Sequence, residues 1–186
     1  MGTNGWLVRV HLRRLGKVLI VLSAISLAYS RLSPSTTPAM TLALFILIAA
    51  FPLAAVTFRN AVIELKNPVS RLDYAISVLI AFSIALSIPL LFALPSRNFG
   101  NAVLLVLSAV PAALLFAVLG MGIKASLVPP LFFVLTSVHL MGSGRWFPAL
   151  WNPLASSYYG VGPSALTLAI YTLAYLHAVK RKEWRS

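Results

Sequence analysis

The chain has 186 residues, of which 60% are hydrophobic and only 10% charged, and its mean hydropathy is +0.92. Soluble domains carry about 25% charged residues, so this composition matches a lipid solvent and excludes an ordinary water-soluble domain. Fifteen Lys and Arg stand against Glu64, Asp73 and Glu183 for a net charge of +12 without a single cysteine, which points the charge at anionic lipid headgroups before nucleic acid and removes disulfides, thiolate metal sites and cysteine nucleophiles.

In chain order, the first feature is a basic segment in which Val8, Leu12 and Leu15 share one helical face and Arg9, Arg13 and Lys17 the other. That pattern predicts a short amphipathic helix lying in the membrane interface, with a plain basic tail as the alternative. A spanning helix needs about 20 apolar residues, because each rises about 1.5 Å through about 30 Å of hydrocarbon. Six segments qualify, roughly 16–32, 39–58, 73–94, 102–120, 123–141 and 162–179, which makes one transmembrane domain over residues 1–186. The expected fold is an all-α, six-helix membrane bundle. The first span is the weakest, since Val18 to Ser30 is its uncharged run and Lys17 must snorkel to complete it. A signal peptide, with the apolar stretch from Val18 to Ala28 as its core, is the rival reading of this start.

On this layout twelve cations fall on one side of the membrane and only Arg31, Arg97 and Arg145 on the other. By the positive-inside rule both termini are cytoplasmic, with the plasma membrane as location. Pro52, Pro89, Pro111, Pro129 and Pro130 lie inside expected spans and should bend them. Ala109, Ala113 and Ala117 recur every four residues and offer a face for close helix approach. The aromatic segment between spans five and six, with Trp146, Phe147, Trp151, Tyr158 and Tyr159, belongs at headgroup depth or dips into the bundle.

Several activities find no residues to carry them. Gly120, Gly122 and Lys124 followed by Ala125 do not make a phosphate-binding Walker loop. No span holds a mid-membrane carboxylate of the kind a proton-coupled carrier titrates. His139 and His177 fall at opposite ends of their spans, which argues against a shared haem, and the three histidines read as interfacial anchors. Spacing identifies neither a serine–base pair nor a cluster of polar side chains at one depth, so no catalytic, cofactor or metal site is expected.

Between spans two and three the chain reads Arg-Asn-Ala-Val-Ile-Glu-Leu-Lys-Asn-Pro-Val-Ser-Arg-Leu-Asp-Tyr from Arg59 to Tyr74. An acid on a short helical turn, then Pro-Val-Ser-Arg, then Tyr opening a span, resembles the permease subunits of ABC-2-type transporters. The resemblance implies a cytoplasmic coupling helix that docks on a separate ATP-binding subunit, carried here by Val62, Glu64, Leu65, Pro68, Val69, Ser70 and Arg71. The family's glycine after the acid is missing and the turn is shorter. The resemblance further implies a membrane-dipping outer connection before the last span, here Trp151, Asn152, Pro153 and Leu154, and a homo- or heterodimer of permease subunits with no ATPase activity of its own. A non-transporting membrane scaffold, or accessory subunit of a larger complex, is the alternative function.

Overall fold

The computed structural model describes residues 3–32, 38–59, 70–94 and 98–182, and every regular element among them is helical. The elements are α1 (Thr3–Leu32), α2 (Pro38–Arg59), α3 (Arg71–Ser87) continued by a 3-10 segment (Ile88–Ala93), α4 (Phe99–Val118), α5 (Val128–Gly142) after a 3-10 turn (Ala125–Leu127), a 3-10 turn (Phe147–Trp151), the short α6 (Pro153–Tyr158) and α7 (Val161–Arg181). Four stretches are long and apolar enough to cross a membrane: Ala39–Arg59, Arg71–Ala93, Phe99–Val118 and Ala125–Gly142. The chain is therefore an all-helical membrane protein, and these stretches correspond to expected spans two to five.

The expected first and sixth spans are the helices α1, of 30 residues, and α7, of 21, both long enough to cross but more polar than the other four. The basic segment and the first span form one helix, with no separate amphipathic piece, because nothing between Thr3 and Leu32 breaks it. Gly16, the one weak residue at the join, costs only about 1 kcal/mol in a helix interior. The buried face of its first half is Leu7, His11 and Leu15, and Val8 and Leu12 are only half-buried.

The prolines act less uniformly than expected. Pro129 and Pro130 sit in the first turn of α5, where a missing N–H is no loss. Pro89 stands where α3 changes to 3-10 geometry, consistent with a lost i→i−4 bond. Pro52 and Pro111 lie within unbroken α2 and α4.

Helix α4 is the hub of the bundle and packs most extensively on α2 and α7. Its Ala109, Ala113 and Ala117 are buried, as are Ala43, Ala50 and Ala54 of α2, so the small-residue stripe is consumed by packing within the chain. It ends in a Schellman motif: the Gly120 amide donates to the Ala117 carbonyl at 3.1 Å and the Met121 amide to the Phe116 carbonyl at 3.2 Å. Gly120 has φ +98°, a left-handed value that glycine adopts without strain. Around the bundle, Ile20, Val21, Leu131, Leu135, Val138, Ile170 and Leu173 are exposed, as an apolar perimeter in lipid requires.

Candidate functional site

Two places concentrate polar and aromatic side chains where several helices meet. The first is the basic end of the bundle, from which the 60–69 connection leaves. Of the expected coupling residues, Val62, Glu64, Leu65, Pro68 and Val69 lie outside the described residues, and Ser70 and Arg71 are described. Ser70 caps α3: its hydroxyl oxygen accepts from the Asp73 amide at 3.0 Å and its hydroxyl donates to the Asp73 carboxylate at 2.7 Å. This satisfies one of the helix's orphan donors and places a negative charge at the positive end of the helix dipole. The Arg71 guanidinium donates to the Lys182 carbonyl at 3.2 Å, and the Lys182 ammonium donates to the Val118 carbonyl. Burial pulls the Lys182 ammonium below the ordinary lysine range. The start of α3 is thereby tied to the ends of α7 and α4.

Behind these ties runs a chain of edge-to-face rings. His11 of α1 meets Tyr74 of α3 at 5.2 Å between centroids, Tyr74 meets Phe58 of α2 at 6.3 Å, and Phe58 meets Tyr175 of α7 at 6.1 Å. Interplanar angles of 78° to 80° put positive ring edges on negative faces, worth about 0.5–1.5 kcal/mol per pair beyond the buried area. The Tyr175 hydroxyl donates to the Ala75 carbonyl at 3.1 Å. His11 is 2% exposed, which corrects its reading as an interfacial anchor. Desolvation first, then the nearby Arg14 charge, lower its pKa to about 4, so the ring is neutral at pH 7. Phe58 and Tyr74 flank the 60–69 connection, so both of its stems end in this cluster.

The second place is the interrupted segment before α7. A 3-10 turn, Phe147–Trp151, and α6 are joined at Asn152, and Pro153 to Ser157 are buried against α4, α5 and α7. Broken backbone at membrane depth is tolerated only where its polar groups find partners. Asn152 provides four hydrogen bonds: its carbonyl oxygen accepts from the Leu154 and Ala155 amides at 2.9 and 3.2 Å, and its amide donates to the Phe133 carbonyl at 2.8 Å and the Thr136 hydroxyl at 3.1 Å. The Thr167 hydroxyl takes the Leu150 carbonyl at 2.9 Å, and the Tyr171 hydroxyl takes that of Trp151. The Tyr159 hydroxyl donates to the Leu140 and Met141 carbonyls at 2.8 and 3.1 Å, at the end of α5. Trp151 rests on Phe132 and Phe133, Pro153 opens α6, and Leu154 is buried.

Asn152 and Thr136 are bonded to each other, and Ser137, Ser156, Ser157 and Thr167 are buried on the helices that meet here. The Ser137, Ser156 and Ser157 hydroxyls donate to carbonyls three residues back. No group of three His, Cys, Asp or Glu converges among the described residues. Comparison of the chain with protein-family models, with curated proteins and with solved structures gives no match in any of the three. Any function is therefore argued from these two sites. The signal for the first was present in the sequence as an aromatic near the basic end of spans two, three and six; the signal for the second was Asn-Pro followed by paired serines.

Proposed function

We propose that the chain is the membrane-spanning permease subunit of an ATP-driven transporter of the ABC-2 type, with six spans and its basic end in the cytoplasm. In this reading α1 and α7 cross the plasma membrane with the four more apolar helices. Of the polar residues of α7, Thr167, Tyr171 and Tyr175 donate to main-chain carbonyls, which lowers the cost of placing them in hydrocarbon. The first half of α1 lies at headgroup level, where Arg9, Arg13, Arg14 and Lys17 meet anionic lipid.

The observation that carries the reading is the convergence of both stems of the 60–69 connection on the His11–Tyr74–Phe58–Tyr175 cluster. A push on that connection is delivered to α1, α2, α3 and α7 together, as coupling to an external motor requires. The motor is a separate ATP-binding subunit docked on Val62, Glu64 and Leu65, and two permease chains enclose the pathway. The segment around Asn152 is the outer re-entrant element that closes it on the far side. Co-expression with a candidate ATP-binding subunit, purification and reconstitution test this. The expected result is a complex of two permease and two ATPase chains whose vanadate-sensitive hydrolysis exceeds that of the ATPase alone; a monomer that neither retains nor stimulates an ATPase contradicts it.

A further inference from the structure

Helix α1 packs on α3 and the 3-10 segment after it but barely touches α2, and the gap between α1 and α2 is a groove of about 290 Å³. That volume is at the lower end of the range of ligand pockets, about 300–1,000 Å³. Val18, Leu53 and Val56 form its apolar wall, and Arg14, His11 and Thr57 line its polar end. Among the described residues no carboxylate lines it. The Thr57 hydroxyl hydrogen is used by the Leu53 carbonyl at 2.9 Å, so the donors that remain for an occupant are those of Arg14 and His11. The His11 Nε2 is buried without a partner, a cost that an occupant's oxygen would relieve. Arg14 is already engaged within the chain and, with five N–H donors, can serve a second acceptor.

We propose that this groove binds one anionic phospholipid, its phosphate held at Arg14 and the His11 ring and one acyl chain laid along Val18, Leu53 and Val56. Charge complementarity selects the anion, because the polar end carries a cation and no acid. Continuity with the bilayer selects a lipid over a soluble anion: Val56 is 41% exposed, and Val21, about one turn beyond Val18 on α1, is 56% exposed, so the groove opens onto the apolar perimeter. The site rests only on the chain being a membrane protein and stands whether or not it is a permease.

Native mass spectrometry of the purified chain, mixed in uncharged detergent with dioleoylphosphatidylglycerol or dioleoylphosphatidylcholine, tests the proposal. Retention of the anionic lipid should exceed that of the zwitterionic one by about tenfold, the equivalent of a single charged contact of about 1.4 kcal/mol. Arg14→Ala should abolish the preference, Arg14→Lys should keep part of it, and Val56→Trp, which fills the groove without changing charge, should lower binding of the anionic lipid. A phosphatidylglycerol with a diazirine in its acyl chain should label wild-type peptides containing Val18 and Leu53 to Val56, a readout that needs no variant to fold. Excess inorganic phosphate should not displace the lipid. Equal retention of both lipids, labelling confined to other helices, or displacement by inorganic phosphate overturns the proposal, the last in favour of a soluble-anion site.

Discussion

The Tyr175 hydroxyl and the Ala75 carbonyl, 100 residues apart in sequence, meet at 3.1 Å in the buried basic end of the bundle. This bond holds α7 to α3 beside the ring chain that also takes in α1 and α2. Tyr175→Phe keeps the ring and removes only the donor, and should destabilise the chain by about 0.5–1 kcal/mol. Tyr175→Ala also empties the buried site of a fully buried ring and should cost about 3–5 kcal/mol. Thermal unfolding in detergent checks the pair; equal losses for both variants would show that the ring contributes nothing.

Asn152 is the side chain that makes four of the interrupted segment's hydrogen bonds, and its amide group serves two helices at once. Asn152→Ala leaves the Leu154 and Ala155 amides without their cap and should cost about 2–3 kcal/mol. Asn152→Asp retains the acceptor but turns an oxygen toward the Phe133 carbonyl, so it should be no better than alanine. Protease accessibility of residues 147–160 should rise in both variants while the far end of the bundle is unaffected.

His11 gives stability a pH dependence of defined sign. Its folded pKa of about 4 lies below the unfolded value of 6.5. Above pH 6.5 both states hold a neutral ring and His11 contributes no slope. As pH falls from 6.5 towards 4 the unfolded chain takes up a proton that the folded chain refuses, so stability drops, by roughly 3 kcal/mol in all. Below pH 4 the effect levels off. Urea titrations at pH 7 and pH 4.5 in uncharged detergent should show this loss in wild type and a smaller one in His11→Phe.

Topology follows from the charge pattern. Reporter fusions after Arg97 and after Lys182 should report opposite sides of the membrane, the second of them cytoplasmic. A same-side result would end the six-span arrangement, because an even number of crossings would then separate the two points.

The apolar helices were legible because hydropathy over about 20 residues is a local property. The expected 73–94 became Arg71–Ala93, and 39–58 became Ala39–Arg59. What joins them was not legible. Tyr74, Phe58 and Tyr175 each look like an ordinary interfacial aromatic, and only the packing of four helices makes them one cluster with His11. The amphipathic pattern of Val8, Leu12 and Leu15 suggested a helix on the membrane surface, whereas α1 turns Leu7, His11 and Leu15 into the bundle, because protein packing competes with the interface for the same apolar stripe. Likewise the hydroxyls of Thr167 and Tyr171 gain meaning only from the carbonyls they take beside the break at Asn152, and that of Thr136 from the Asn152 amide it accepts.

The central claim is that the connection between α2 and α3 couples the bundle to an ATPase, and Glu64→Lys tests it most directly. The substitution removes the one acid of the 60–66 stretch and places a like charge beside Lys66, outside the hydrocarbon, so insertion and abundance should match wild type. In proteoliposomes containing the ATP-binding subunit, ATPase stimulation and transport should both fall by at least about tenfold, which corresponds to a docking loss of about 1.4 kcal/mol. Wild-type stimulation by the Glu64→Lys chain would contradict the account and favour a membrane scaffold whose basic loop serves only its topology.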